Sequence, residues 1–119
     1  MINNIGIDII SNKKIKKLMN KESFINKILS EKELIYYQTI NNNKRKIEYL
    51  AGRFTSKEAI IKSITNKYPL WNYKDMSILN DEEGRPYFES ELIKEEILIS
   101  ISHCDEYTIS MAINKTTKK

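Results

Sequence analysis

At 119 residues the chain has room for one compact domain and not two, and its 40% hydrophobic content is enough to build that core. With 30% charged residues and a net charge of +4, no apolar run approaches the roughly 18 residues of a membrane span, and no basic stretch ahead of an apolar core marks a secretory leader, so a cytoplasmic protein without a membrane partner is expected. A single cysteine, Cys104, excludes an internal disulfide, and a single histidine, His103, leaves no zinc-ligand set.

The chain opens on a strand, MINNIGIDII, which is β-branched and carries Gly6 and one acid, Asp8, among Ile7, Ile9 and Ile10. A carboxylate among aliphatics is costly unless it is paired, hydrogen-bonded or bound to a metal, so Asp8 requires a partner. A helix capped by Ser11 or Asn12 is expected over SNKKIKKLMNKESFINKIL, with Ile15, Leu18 and Met19 facing inward. Lys13, Lys14, Lys16, Lys17, Lys21 and Lys27 crowd its other surface against Glu22 alone, which suits either plain solvation or an acidic partner. A further helix follows at SEKELIYYQTI, where Ser30 and Glu33 form a capping box and Leu34, Ile35, Tyr37 and Ile40 face inward; Tyr36 and Tyr37 are read as packing residues. Asn41 to Asn43 then break the helix, as a polar loop that ends one element and caps the next.

The strongest helical signal runs from Lys44 to Thr65, with Ile47, Leu50, Ala51, Phe54, Ile61 and Ile64 at three- and four-residue spacings. Lys44, Arg45 and Lys46 stand at its start, where the dipole disfavours cations and phosphate binding gives a reason for them. Gly52 inside the helix is tolerable if another backbone packs closely on it, and Arg53 is expected to pair with an acid. Glu58 and Lys62 lie one turn apart at the edge of the apolar face. They form either an ordinary salt bridge or, with Asp8, a site: two carboxylates supplemented by water and phosphate suit Mg²⁺. Beyond the helix, Trp71 is read as a core or interface anchor, and DMSILNDEEGRPYFES as a β-hairpin turning over Asn80 to Gly84 with Pro86 at an edge-strand start. Leu92 to Glu96 is expected to be a short helix, ILISISH and YTISMAIN the last two strands, and residues 115–119 a disordered tail.

Taken together and in this order, IGIDII, RFTSKEAIIKS, GRP and ISISH resemble the holo-acyl-carrier-protein synthase type of 4′-phosphopantetheinyl transferase over almost the whole chain. The resemblance implies an α+β domain with an antiparallel sheet packed on a long central helix, assembled as a homotrimer with active sites between subunits. It implies transfer of 4′-phosphopantetheine from coenzyme A to a serine of acyl carrier protein for fatty acid and lipid synthesis, with Mg²⁺ as cofactor and 3′,5′-ADP as leaving group. By the same resemblance Asp8 and Glu58 hold the metal, Lys62 neutralises the leaving diphosphate, and Lys44, Arg45 and His103 hold nucleotide phosphates. Gly84 and Pro86 lie against the adenine end, while Lys13, Lys14, Lys17, Lys21 and Phe24 dock the carrier protein. The segment around residues 66–74 departs from the family, which carries glycines there, and Cys104 replaces a hydroxyl residue. Two rival readings are a small basic nucleic-acid-binding module, which leaves Asp8 and Glu58 unexplained, and a catalytically inactive trimeric scaffold, which leaves Lys62 beside both carboxylates unexplained; with neither favoured, no nucleic-acid partner is expected.

Overall fold

The computed structural model describes residues 1–64 and 72–116. Strand β1 (Asn4–Ser11) leads into helices α1 (Asn12–Leu18), α2 (Glu22–Ile28), α3 (Glu31–Tyr37) and α4 (Asn43–Ser63). A 3₁₀ turn (Tyr73–Asp75) then precedes β2 (Ser77–Asn80), β3 (Pro86–Glu89), β4 (Ile97–His103) and β5 (Tyr107–Asn114). The long strands form an antiparallel sheet in the order β1-β5-β4, and β2 and β3 form a separate hairpin. Helix α4 packs on the larger sheet, burying Leu50, Ala51, Ala59 and Ile60 completely. Leu50 and Ile60 each contribute about 1.5 to 3 kcal/mol by leaving water, and the two alanines less.

Strand alternation decides what β1 presents to the helix. Gly6, Asp8 and Ile10 face α4, while Ile5, Ile7 and Ile9 point away and stay half-exposed. The aliphatics beside Asp8 therefore do not bury it: its side chain keeps 20% exposure. Gly6 lets the two elements meet, because a Cβ there would lie 1.8 Å from the Ala59 carbonyl oxygen. At Gly52, by contrast, the neighbour is not a backbone but the His103 ring, 3.4 Å from where a Cβ would stand.

Local signals predict the helix starts well. Ser30 accepts from the Glu33 amide while Glu33 returns a bond to the Ser30 amide, and Asn42 caps α4 by accepting from Arg45. The helix expected over residues 11–29 is instead two, because the chain turns at Met19 to Lys21 to bring Ile28 and Leu29 into the same core as Ile15. Ile35 is 61% exposed rather than inward, since Glu33 and Tyr37 take the buried face of α3. Leu92 to Glu96 forms no helix: Ser90 Oγ accepts from the amides of Leu92 and Ile93, and the segment stays irregular, with Ile93 filling the core and Glu95 accepting from Asn114. At the C-terminal end Lys115 donates to the Glu96 carbonyl and Thr116 accepts from the Glu96 amide, so the expected tail is hydrogen-bonded at both residues; residues 117–119 lie outside the described part, as does Trp71.

The most deeply buried polar feature was not foreseen. Lys57 and Glu33 form an ion pair with no exposed side-chain surface on either partner. The ammonium also donates to the Ile28 carbonyl at 2.7 Å and the Tyr73 carbonyl at 3.0 Å, and Glu33 accepts from the Ile78 amide at 2.7 Å. Burial pushes the Lys57 ammonium below its ordinary value, against the opposing pull of Glu33. The pair thereby ties the end of α2, the start of α3, the 3₁₀ turn and β2 to the middle of α4.

Candidate active site

The first half of α4 forms the floor of a cleft of about 210 Å³. Arg45, Glu48, Tyr49 and Arg53 come from the helix; Asn80, Gly84 and Pro86 from the hairpin; Ile101 and His103 from β4; and Tyr36 from α3. Gly84 takes φ +83°, a left-handed value that glycine adopts freely, and Asp81 closes the turn by accepting from the amides of Glu83 and Arg85, each at 2.9 Å. Of the residues assigned to nucleotide binding by resemblance, the cleft thus brings together Arg45, Gly84, Pro86 and His103. Lys44 stays outside it, exposed and paired with Asp105 at 3.3 Å.

Arg53 departs from its expected role. It is buried, yet its partners are not acids: Nε donates to the Ile78 carbonyl at 3.0 Å, a terminal nitrogen donates to Asn80 Oδ1 at 2.8 Å, and the guanidinium lies 4.2 Å over the Tyr49 ring. These contacts leave part of its five-donor fork for an anion in the cleft. Burial pushes the Tyr49 phenol up to about 12, so it remains a neutral surface under the cation. The helical spacing of 45, 48, 49, 52 and 53 was the available signal that Arg53 shares a face with Arg45.

His103 closes the cleft through a directed chain of hydrogen bonds. Thr108 Oγ1 donates its only proton to Asn12 Oδ1 at 2.7 Å, so the 2.8 Å contact with His103 must be Nδ1–H donating to Thr108. The proton of the neutral ring therefore sits on Nδ1, and Nε2 carries a lone pair. Burial holds the imidazole below its ordinary value of 6.5, with Arg53 and Arg45 adding to that effect and Glu48 opposing it. A doubly charged phosphate entering the cleft would draw a proton onto Nε2 and turn it into a donor.

The second cluster lies at the far end of α4. Lys62 donates to the Ile7 carbonyl at 2.9 Å and to Asp8 Oδ1 at 3.3 Å, with the lysine 56% exposed, so the ion pair contributes no more than about 1 kcal/mol. Glu58 is partly buried, on the same end of α4 as Lys62. Burial above all, and then Glu58 and Asp8, push the Tyr73 phenol up. Among the described residues no set of three or more Cys, His, Asp or Glu side chains encloses a metal. The hard oxygen donors of Asp8 and Glu58 fit a cation that keeps most of its shell for water and phosphate, as Mg²⁺ does.

The two clusters are not contiguous within one chain, since α4 climbs about 20 Å between Arg45 and Glu58. The proposed docking lysines Lys13, Lys14, Lys17 and Lys21 are all exposed, but they straddle two helices. Phe24 turns inward, 6.1 Å from the Phe54 ring.

Comparison with known proteins bears on the whole chain. Residues 4–112 match the model of the 4′-phosphopantetheinyl transferase superfamily. Holo-[acyl-carrier-protein] synthase from Mycoplasma capricolum is 42% identical over 119 residues, covering 100% of both chains, and that from Anoxybacillus flavithermus is 40% identical over 115 residues, covering 95% of each. The crystal structure of a holo-(acyl-carrier-protein) synthase from Bacillus anthracis in complex with CoA (3′,5′-ADP) superposes with a TM-score of 0.87 at 30% identity, covering 98% of this chain and 99% of that one. With its α+β fold, its full-length likeness and its sheet on a long central helix, the chain belongs to the 4′-phosphopantetheinyl transferase superfamily, as a member of its holo-[acyl-carrier-protein] synthase type.

Proposed function

We propose that the chain transfers 4′-phosphopantetheine from coenzyme A to a serine hydroxyl of apo-acyl carrier protein, as a cytoplasmic, Mg²⁺-dependent homotrimer serving fatty acid and lipid synthesis. The observation that carries this reading is the cleft in which Arg45, Arg53 and His103 converge opposite the Gly84–Pro86 backbone, a cationic pocket sized for part of a nucleotide. The serine oxygen attacks the β-phosphorus of the pyrophosphate, the bond from that phosphorus to the bridging oxygen breaks, and 3′,5′-ADP leaves. Arg45, Arg53 and His103 hold the nucleotide phosphates, Gly84 and Pro86 lie along its base, and Lys62 faces the charge that develops on the leaving group. Asp8 and Glu58 would hold Mg²⁺, which when bound would supply charge neutralisation for the pyrophosphate.

The distance along α4 supports assembling the site from two subunits, the cleft from one and the carboxylates from its neighbour. An unpartnered apolar sheet face supports the same assembly: Ile5, Ile7 and Ile9 of β1 pair across β5 and β4 toward Met111 and Leu98, all of them 40% exposed or more. Exposed Lys13, Lys14, Lys17 and Lys21 supply a basic surface for an acidic carrier protein. The reading is tested by intact-mass spectrometry of an apo-acyl carrier protein incubated with the chain, coenzyme A and Mg²⁺. The expected result is a gain of one phosphopantetheine group, lost with a chelator and lost with Asp8→Ala. No gain with several carrier proteins would overturn it.

A further inference from the structure

We propose that Asn12 and Thr108 are positioning residues for His103, a hydrogen-bond relay that holds the ring proton on Nδ1 and leaves Nε2 for the phosphate cleft; this rests on the reading of His103 as a phosphate-binding residue. The relay is anchored where its direction admits no choice. Ser11 caps α1, which leaves the Asn12 side chain to the turn between β4 and β5. There Asn12 Nδ2 donates to the Cys104 carbonyl at 2.8 Å and the Asp105 carbonyl at 3.2 Å, and the Asn12 backbone amide donates to the Glu106 carbonyl at 2.9 Å. A carbonyl only accepts, so the amide end facing the turn is Nδ2 and the end facing Thr108 is Oδ1. Thr108 Oγ1 then donates to Oδ1 at 2.7 Å and accepts from His103 Nδ1–H at 2.8 Å. Asn12 and Thr108 are both buried, so water competes for neither bond. Nε2 is the ring nitrogen left over, 3.7 Å from where a Gly52 Cβ would stand on the cleft floor. Among the described residues, the charged groups that share the cleft with the ring all come from α4: Arg45, Glu48 and Arg53. The bond made by one imidazole nitrogen decides what the other can do. A ring held in this way takes up a proton on Nε2 as phosphate binds and donates to it, while Thr108 supports the charged ring from behind.

His103 is the only histidine, so the full chain labelled with ¹⁵N at histidine reports directly which ring nitrogen carries the proton. Above pH 7 the parent is expected to show Nδ1–H with an unprotonated Nε2, and to gain a proton on Nε2 when 3′,5′-ADP is added. Thr108→Val keeps the shape and removes the hydroxyl, whereas Thr108→Ser keeps the hydroxyl. Both should unfold as cooperatively as the parent. Thr108→Val is expected to lose the fixed Nδ1–H and to bind 3′,5′-ADP about fivefold more weakly, the share of one hydrogen bond, while Thr108→Ser retains tautomer and affinity. Asn12→Ala lets the hydroxyl donate to Nδ1 instead, so the ring proton should move to Nε2. A parent whose neutral ring is protonated on Nε2 would overturn the inference whatever the variants do. So would unchanged tautomer and affinity in Thr108→Val with affinity lost in His103→Gln, an outcome that leaves the phosphate reading standing. Affinity unchanged in His103→Gln would overturn both.

Discussion

Replacing Gly6 by alanine tests the joint on which the carboxylate cluster depends. The added methyl would meet the Ala59 carbonyl oxygen at 1.8 Å, more than an ångström inside the 3.0 Å below which real Cβ contacts essentially do not occur. The obstacle is helix backbone, so β1 must lift from α4. Overpacking costs about 1 to 3 kcal/mol, and withdrawing Ile10, only 8% exposed, forfeits part of a further 1.5 to 3, roughly. Alanine's lower conformational entropy in the unfolded chain returns about 0.5 to 1 kcal/mol, too little to compensate. The net expectation is a loss of about 2 to 3 kcal/mol, measured by urea unfolding. Gly52→Ala is the internal contrast. Its methyl would touch the His103 ring at 3.4 Å, an ordinary contact, so helix propensity should raise stability by up to about 1 kcal/mol. A Gly6→Ala protein within about 0.5 kcal/mol of its parent would refute the close approach of β1 and α4.

Four other outcomes follow from contacts already described. Lys57→Met leaves the Glu33 carboxylate buried without its cation and should cost about 3 to 5 kcal/mol in chemical denaturation, with the Lys57→Met/Glu33→Gln double variant recovering part of that loss. Because the folded protein holds His103 below 6.5, its contribution to stability is complete above that pH and is lost as pH falls through the lowered value; melting temperatures between pH 7 and 5 should fall less steeply in His103→Gln. Calorimetry of 3′,5′-ADP binding at pH 7 in buffers of different ionisation enthalpy should show proton uptake by the parent and less by His103→Gln, and equal uptake would remove His103 from the phosphate site. Arg53→Lys cannot keep both the Tyr49 stack and the bonds to Ile78 and Asn80, so nucleotide affinity should drop by about 1.5 to 3 kcal/mol in the same titration.

What could be foreseen was local. The Ser30–Glu33 capping box, the hairpin turn at Gly84 and the period of α4 depend on residues a few positions apart, and each is visible as spacing. Glu33 shows where locality ends. Its backbone-facing role is written into Ser-x-x-Glu, but its partnership with Lys57 depends on how α3 folds back on α4, and no spacing rule reports that. Arg53 fails in the same way, since its carbonyl and amide partners, Ile78 and Asn80, both come from β2 and its ring partner is a helical neighbour, none of them an acid. Asp8 was correctly singled out as a charge needing a partner, although its flanking isoleucines belong to the opposite face of the sheet. The helix expected at Leu92 to Glu96 yielded to burial of Ile93 and the Glu95 hydrogen bond, a tertiary demand that outweighs propensity in so short a segment.

The Lys57–Glu33 pair also limits how this sequence can drift. Either residue changed alone strands a buried charge, while a joint change to well-packed neutral side chains can be tolerated. A lineage must therefore cross a poorly folded intermediate or acquire two substitutions at once, and the lysine next to Glu58 is held in place by a residue of α3 whose carbonyl also accepts from the cleft-lining Tyr49 at 3.3 Å. Residue identity at 57 would then persist through changes of substrate or even loss of activity, as a record of folding rather than of chemistry.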